Sequence, residues 1–297
     1  MIFKGVCTAL VTPLTEDSDR VNFDEFRKII DEQISGGVDS LVFLGTTGEA
    51  STFTREEKIE IVKFAVAYVN NRVPVIVGAG SNNTEEAVKN SLIYQNLGVN
   101  GLLIVTPYYN KTTQKGLVAH YTKIADSVSI PIILYNVPGR TGINMMPSTV
   151  AMLAKHKNII AIKEASGNIV QMQEILRLTK NEDFCLYSGD DALIVPVLAI
   201  GGMGVISVAS NILPKQVCNI CKEFFTGNIL GSMDIAFKLL PIIQALFIEV
   251  NPIPVKYAMR YLGYNVGKMR LPLEIDMEDK NKQILENEIK NLKQLNY

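Results

Sequence analysis

The sequence lacks several residue types that mark common functional classes. Its 297 residues include no tryptophan, two histidines and four cysteines. A zinc centre takes three or four histidine, cysteine or carboxylate ligands, whereas His120 and His156 both fall in helical patterns. The 29 lysines and arginines nearly balance the 30 aspartates and glutamates, so no basic excess points to nucleic acid or to an anionic membrane. We therefore expect no metal, no cofactor, no nucleic-acid partner and no membrane partner.

Targeting and redox signals are also scarce. The N-terminus lacks the basic region and long apolar stretch of a signal peptide. A long uncharged stretch, Ala192–Asn211, is broken by Pro196 and "GGMG", which favours a buried helix followed by a strand over a membrane span. The cysteines sit in apolar patterns that predict packing, and their use suits a reducing cytoplasm: Cys7, Cys185, Cys218 and Cys221. We expect a cytoplasmic protein.

What the sequence has in abundance is alternation of apolar, β-branched runs with amphipathic helical patterns. Strands are predicted at Gly5–Val11, Ser40–Leu44, Pro74–Val77, Gly101–Val105, Pro131–Tyr135, Ile159–Lys163, Phe184–Tyr187 and Gly204–Val208. Helices are predicted at Phe23–Ile34, Arg55–Val69, Thr84–Leu97, Gln114–Ser127, Pro147–His156, Asn168–Leu178, Asp191–Ile200 and Pro214–Phe225. The strands are nearly continuous apolar runs, as in parallel sheets covered on both faces.

Eight strand–helix units of even spacing predict an α/β fold, a (β/α)8 barrel, over residues 1–225. An open Rossmann-like sheet is the alternative. Beyond this point the alternation stops, and only helices are predicted: Ser232–Val250, Pro254–Leu262 and Glu278–Leu295. Because no low-complexity linker precedes them, residues 226–297 are expected to form a C-terminal helical extension packed on the barrel.

Polar, glycine-rich stretches follow the predicted strands. They read "GTTGE" at 45–49, "TPYYN" at 106–110, "NVPGRTG" at 136–142, "EASGN" at 164–168 and "SGDD" at 188–191. Active sites of (β/α)8 barrels are built at the carboxyl ends of the strands. These stretches are therefore the candidate active site.

Lys163 ends the apolar run "NIIAIK" of the sixth strand. Burial disfavours a charged amine, and a neutral amine is a nucleophile for carbonyl carbon. The alternative is a lysine that reaches solvent or pairs with Glu164. An imine-forming enzyme also needs a proton shuttle and donors for a substrate carboxylate. Tyr135 ends the neighbouring strand and could shuttle protons, or it could be a core aromatic.

Two further stretches offer donors for a carboxylate. Thr46 and Thr47 bring two hydroxyls to a glycine turn, although they could instead serve the start of the helix after Thr54. Arg140 could hold a carboxylate in a fork, or be an ordinary loop arginine. Asp190 and Asp191 are more typical of a helix N-cap than of a metal site.

Taken together, "GTTGE", "TPYYNK", "LYNVPGRTG", "IKEASGN", "SGDD" and "GVISVASN" resemble the dihydrodipicolinate synthase family, within the pyruvate-dependent class I aldolases and lyases that include N-acetylneuraminate lyase. The resemblance covers essentially the whole chain. It implies a lyase that condenses pyruvate with L-aspartate 4-semialdehyde in the diaminopimelate route of lysine biosynthesis, without a cofactor.

The resemblance also implies roles for individual residues. Lys163 matches the lysine that forms the imine with pyruvate, and Tyr135 matches the tyrosine that shuttles protons there. Thr47 matches the threonine that links Tyr135 to a second tyrosine, Tyr109, which reaches in from a neighbouring subunit. That last role implies a homo-oligomer. A homotetramer, as a dimer of dimers, is expected, with a dimer left open.

Substrate contacts follow in the same way. Thr46 and Thr47 match donors to the pyruvate carboxylate, Gly189 and Ile206 match positions whose backbones line the pyruvate pocket, and Arg140 matches the arginine that receives the second substrate. N-acetylneuraminate lyases and 2-keto-3-deoxy sugar acid aldolases are the nearest alternative, but they tend to have Ser-Thr in place of Thr-Thr. A barrel that binds a metabolite without turnover, and a metal-dependent aldolase, are less favoured.

A possible regulatory site is implied as well. In the family, lysine inhibits many members at a cleft between subunits, and the matching positions here are Ser51, Arg55, Asn82, Glu86 and Tyr108. Arg55 and Lys58 stand where lysine-sensitive enzymes carry histidines, which leaves sensitivity open. A polar interface without an effector is the alternative.

Overall fold

The computed structural model describes residues 1–273 and 277–294. Eight parallel strands pair in chain order and close on themselves, with the first bonded to the last. The strands are β1 Gly5–Ala9, β2 Ser40–Phe43, β3 Val75–Gly78, β4 Gly101–Val105, β5 Ile132–Asn136, β6 Ile159–Glu164, β7 Cys185–Ser188 and β8 Gly204–Ser207. The closed sheet confirms the predicted (β/α)8 barrel, and the Rossmann-like alternative is wrong.

The helices lie between and after the strands. They are α1 Phe23–Ser35, α2 Arg55–Val69, α3 Thr84–Asn96, α4 Gln114–Ser127, α5 Pro138–Thr141, α6 Pro147–Leu153, α7 Ile169–Thr179, α8 Ile194–Ala199, α9 Pro214–Phe225, α10 Ile229–Ala245, α11 Ile253–Tyr261 and α12 Asp279–Gln294. No helix within residues 1–273 and 277–294 is long and apolar enough to cross a membrane.

Local sequence signals explain most helix ends. A capping box begins α2: Thr54 accepts the N–H of Glu57 at 3.2 Å, and the Glu57 carboxylate accepts the N–H of Thr54 at 2.8 Å. Asn228 caps α10 through the N–H of Gly231, so this helix begins earlier than predicted. The helix predicted at Asp191–Ile200 is a 3-10 turn followed by α8, because Asp190 caps the turn at the N–H of Ala192.

Two other helices depart from expectation. The helix predicted to end at His156 ends at Leu153. The short helix α5 was not predicted; Pro138 opens it, with a backbone angle already suited to a first helical position. Leu295, the predicted end of the last helix, lies outside the described residues.

Alternate residues of each strand serve two apolar clusters. One fills the barrel interior and includes Ile133, Tyr135, Ala161 and Tyr187. The other packs the outer faces of the strands against the helices. Because side chains alternate along a strand, Lys163 shares the interior face with Ala161, whereas Glu164 faces the helical layer.

The opposite end of the barrel is closed. The rings of Phe3 and Tyr187 stack with centroids 4.1 Å apart, and the Tyr187 hydroxyl donates to the Phe3 carbonyl at 2.6 Å. A cavity inside this barrel can therefore open only at the carboxyl ends of the strands.

A β-bulge sets the register of β6 on β5. Ile132 pairs with Ile159, but the next pair joins Ile133 to Ala161, so β6 has one extra residue. As a result Tyr135 pairs with Lys163. Without the extra residue, the tyrosine would lie opposite an outward-facing position.

The helices after the barrel pack on it and on one another. α10 lies against α9 and against the turn at Asp191–Leu193, and α12 contacts α10 and α11. The division of the chain at residue 225 stays a prediction.

All four cysteines are free, and burial raises the pKa of Cys218 to about 12, so its thiol stays protonated at neutral pH.

Candidate active site

A cavity of about 440 Å³ opens at the carboxyl ends of the strands. Its wall brings together six residues that the sequence singled out: Thr46, Thr47, Tyr135, Arg140, Lys163 and Gly189. They come from the ends of β2, β5, β6 and β7 and the loops that follow, so closure of the barrel is what makes them neighbours.

Lys163 is the buried amine of this cavity. Its side chain is 5% exposed, and its Nζ lies 4.5 Å from the centre of the Tyr135 ring. Among the described residues, no carboxylate forms an ion pair with it. The amine is therefore held against a ring face and left available to a ligand.

Glu164 does not serve Lys163. Its carboxylate accepts the side-chain amides of Asn136 at 2.9 Å and Gln171 at 3.2 Å, and the N–H of Ser166 at 2.7 Å. These neutral donors stabilise a fully buried carboxylate in the helical layer. The alternative in which Lys163 pairs with Glu164 is therefore wrong.

Gly189 lets the chain pass close to the lysine. A Cβ at this position would lie 3.1 Å from Cε of Lys163 and 2.7 Å from Cβ of Ala165. The Gly189 N–H donates to the Glu164 carbonyl at 2.8 Å, which fixes the loop beside β6. Only glycine fits here without moving the lysine stem.

The turn after β2 presents two threonines. The N–H of Glu49 donates to the Thr46 carbonyl at 3.0 Å and closes the turn. A Cβ on Gly48 would come within 3.1 Å of the Leu10 carbonyl, so a larger residue here would push the two segments apart by a few tenths of an ångström. Thr47 is 2% exposed and Thr46 is exposed. Neither caps α2, since Thr54 does so.

Arg140 lies at the rim of the cavity, on α5. It is exposed, and one guanidinium N–H donates to the Asn251 carbonyl at 3.2 Å. The bond leaves further donors for an anion. Position at the mouth, with one anchoring bond, suits an arginine that receives a carboxylate arriving from solvent.

Two predicted site residues do not line the cavity. Ile206 is fully buried in the barrel interior, one inward-facing position before Val208, which does line it. Tyr109 is 93% exposed and has a left-handed backbone, with φ of 71°. In this single chain, its hydroxyl is not part of the cavity wall.

The helical extension supplies wall residues that the sequence did not indicate. Ile243 and Gln244 lie at the end of α10, and Phe247 and Asn251 follow that helix. The Asn251 side-chain amide donates to the Thr47 hydroxyl at 3.0 Å. No strand-end pattern marks these positions, because they lie far along the chain from the barrel residues that they meet.

The predicted regulatory positions fall into two groups. Ser51 and Tyr108 line a second cavity of about 380 Å³, which Lys58 also lines and which shares Arg140 and Tyr135 with the first. Beside them, Arg55 forms an ion pair with Glu86, and the Asn82 amide donates to the Tyr108 carbonyl at 3.2 Å. Burial and the neighbouring Arg55 lower the pKa of Lys58.

No three metal-binding side chains cluster within the described part of the chain. Asp191 instead accepts the N–H groups of Val208 at 2.9 Å and Ala209 at 3.0 Å, and burial raises the pKa of its carboxyl group. His120 bonds to Thr84 at 2.9 Å, and burial lowers its pKa to about 4. Neither side chain lines the cavity that holds the Lys163 amine.

The fold and the cavity define the class. This is a (β/α)8-barrel enzyme with an amine beside a tyrosine ring at the carboxyl ends of its strands. Within that class, the chain belongs to the dihydrodipicolinate synthetase family, whose sequence model matches residues 2–292.

Individual relatives agree along nearly the whole chain. The 4-hydroxy-tetrahydrodipicolinate synthase 1 of Clostridium acetobutylicum is 49% identical over 289 residues, which cover 97% of each chain. The crystal structure of dihydrodipicolinate synthase from Thermotoga maritima matches with a TM-score of 0.95 at 42% identity, covering 98% of each chain. That of the synthase from Cyanidioschyzon merolae with lysine bound gives 0.94 at 41%, again covering 98% of each. The chain is therefore an enzyme of the lyase class.

Proposed function

We propose that the chain condenses pyruvate with L-aspartate 4-semialdehyde through an imine on Lys163. Its activity is that of a 4-hydroxy-tetrahydrodipicolinate synthase, in the diaminopimelate route of lysine biosynthesis. The observation that carries the mechanism is the Lys163 amine, buried in the cavity 4.5 Å from the Tyr135 ring centre and without a carboxylate counter-ion in the described structure.

The chemistry begins at the lysine. Neutral Lys163 attacks C2 of pyruvate, and the resulting carbinolamine loses water to give the imine. Loss of a methyl proton then gives an enamine, whose carbon attacks the aldehyde of the second substrate. The amine of that substrate displaces Lys163 by transimination, which closes the ring and returns the free enzyme. Tyr135, paired with Lys163 across the strands, moves the protons.

Substrate binding uses the rest of the wall. Thr46 and Thr47 donate to the pyruvate carboxylate, with the backbone of Gly189 beside it. Arg140 receives the carboxylate of the semialdehyde at the rim. The exposed guanidinium and its single anchoring bond to Asn251 support this assignment. An acyclic sugar acid would instead need several hydroxyl partners at the same place.

The exposure of Tyr109 supports an oligomeric assembly. An exposed tyrosine held in a left-handed conformation suits a contact with another subunit, where it would join Thr47 and Tyr135 in a proton relay. We propose a homotetramer, as a dimer of dimers, located in the cytoplasm. Sedimentation equilibrium tests the assembly, and a monomeric protein with full activity would contradict the role of Tyr109.

We also propose an L-lysine site at Ser51, Arg55, Asn82, Glu86 and Tyr108. The ion pair between Arg55 and Glu86 occupies the carboxylate that would hold the amine of lysine, so binding is expected to be weak. Isothermal titration with L-lysine tests the site. No heat at millimolar ligand would leave these residues as a polar interface only.

The test of function is pyruvate-dependent turnover of L-aspartate 4-semialdehyde by purified protein, in the presence of a chelator and with N-acetylmannosamine as the comparison aldehyde. Efficient turnover of the semialdehyde supports both the imine and the role of Arg140. If borohydride traps pyruvate on Lys163 but only the sugar-derived aldehyde reacts, the sugar-acid aldolases become the better assignment.

A further inference from the structure

A second lysine is buried even more deeply than Lys163. Lys256, on α11, and Glu49, in the turn after β2, are both 0% exposed, and their charged groups meet at 2.7 Å. The Lys256 ammonium also donates to the Lys268 carbonyl at 3.2 Å, and the N–H of Arg270 donates to the other Glu49 oxygen at 3.3 Å. Burying two charged groups costs desolvation free energy, so the presence of this ion pair in a large apolar core needs a physical explanation.

Glu49 belongs to the turn that carries the threonines of the cavity. Its N–H closes the turn on the Thr46 carbonyl at 3.0 Å, and its carbonyl accepts the N–H of Thr52 at 2.9 Å. Its backbone is left-handed, with φ of 55°. Since backbone bonds on both sides tie Glu49 to the turn, anchoring its carboxylate also fixes where Thr46 and Thr47 stand.

Lys256 belongs to a segment that touches the cavity from the other side. Its N–H donates to the Pro252 carbonyl at 3.0 Å, one helical turn back. The adjacent Asn251 donates its amide to the Thr47 hydroxyl at 3.0 Å and accepts the Arg140 guanidinium at 3.2 Å. Residues 251–256 therefore touch the threonine turn at two points and the arginine at one.

We propose that Lys256 and Glu49 are positioning residues for the reaction. The ion pair locks the turn 46–49 against residues 251–256, so that Thr47 and Arg140 keep their places in the cavity wall. This inference rests on the proposed function, because it assumes that those two residues hold the substrates. Neither Lys256 nor Glu49 lines the cavity, and both act through the residues that do.

Lys256→Met tests the inference, with Glu25→Gln as the matched control. Glu25 is also a buried carboxylate that ties the barrel to the C-terminal segment, through the N–H of Asn265 at 3.0 Å, but it lies on α1 and away from the turn. For each variant, the melting temperature is measured first. Then kcat, both KM values and the rate of borohydride trapping of pyruvate are measured at a temperature where all variants are folded.

We expect Lys256→Met to lower kcat and to raise the KM for pyruvate, each about tenfold, because displacements of about 1 Å in a site carry penalties of this size or larger. Trapping of pyruvate should slow in parallel. Glu49→Gln keeps an oxygen that accepts from Lys256 and should lose less. Glu25→Gln should lower the melting temperature but leave both kinetic constants within about twofold.

Normal kinetics and normal trapping in folded Lys256→Met would overturn the inference and leave only a structural pair. If Lys256→Met does not fold, Glu49→Gln and the double variant Lys256→Met/Glu49→Gln take its place. The same changes in kcat, in the KM for pyruvate and in the trapping rate are then measured. Trapping separates this inference from the proposed function. If the wild-type protein traps pyruvate but does not turn over the semialdehyde, the assignment of the second substrate is wrong. Slowed trapping in Lys256→Met would still support the positioning role.

Discussion

The molecule buries two lysines, and their surroundings are opposites. Lys163 lies inside the barrel with its amine 4.5 Å from a tyrosine ring centre and with no carboxylate bonded to it in the described structure. Lys256 lies outside the barrel, on α11, with Glu49 at 2.7 Å and the Lys268 carbonyl at 3.2 Å. In the described structure, one amine has no carboxylate partner and lies beside a cavity, whereas the other is bonded to a carboxylate and a carbonyl within the core.

The difference shows how burial alone fails to identify function. Burial lowers the pKa of Lys256, and the bonded Glu49 carboxylate opposes that effect, whereas no carboxylate in the described structure pairs with Lys163. An unsatisfied amine in a cavity is available to a carbonyl, whereas a satisfied one in a core joins two parts of the chain. The same substitution at the two positions should therefore have opposite consequences.

Lys163→Met should give the largest loss of activity. Without the nucleophile no imine forms, and turnover should fall by at least about 10³-fold. Stability should stay equal or rise, because an unpaired buried amine is replaced by an apolar side chain of similar length. Kinetics, thermal melting and the intact mass after pyruvate and borohydride check this. A pyruvate adduct on the variant would show that another amine is the nucleophile.

Lys256→Met should reverse the pattern in stability. It leaves the Glu49 carboxylate buried without its counter-ion, at a cost of about 3 kcal/mol. Urea denaturation at a fixed protein concentration, compared with Lys163→Met, measures the contrast. The double variant Lys256→Met/Glu49→Gln should recover part of the loss. Equal stability of Lys163→Met and Lys256→Met would end the distinction between the two amines.

The sequence predicts the surroundings of Lys163 but not those of Lys256. Continuous apolar runs, helix caps and glycine-rich strand ends are local signals, and they predict the barrel, its eight strands and the end of the barrel that carries the cavity. Lys163 stands out because a charge directly follows an apolar strand. Tyr135 and Thr47 stand out because neighbouring strands end at the same edge.

The contacts of Lys256 and Asn251 join segments that are far apart in the sequence. Glu49 and Lys256 are 207 positions apart, and Thr47 and Asn251 are 204 apart. Neither Lys256 nor Asn251 follows a strand or sits in a glycine-rich turn. The β-bulge that pairs Tyr135 with Lys163 also has no sequence signal, because Ile159 and Ile160 are both typical strand residues. Packing of the helical extension over the barrel decides these features.

Tyr135→Phe sharpens the comparison at the unpaired amine. The ring face stays over Lys163 and only the hydroxyl is lost, so burial of the lysine is unchanged. We expect kcat to fall about 10²-fold, in the range of a lost general acid–base group, with little change in stability. Slow formation of the pyruvate adduct, followed by mass after borohydride, should persist. Wild-type kcat in this variant would assign the proton transfers to another group.

Gly189→Ala should have the smallest effect, and it tests how tightly the unpaired amine is held. The added Cβ would lie 3.1 Å from Cε of Lys163 and 2.7 Å from Cβ of Ala165, so the lysine stem or the loop must shift by a few tenths of an ångström. We expect about a tenfold loss in kcat, because the amine leaves its best line of attack while remaining buried. The double variant Gly189→Ala/Ala165→Gly removes the tighter contact and should regain part of the rate. Unchanged kcat in the single variant would mean that the stem of Lys163 adjusts freely, and that the tyrosine ring rather than close packing fixes the position of its amine.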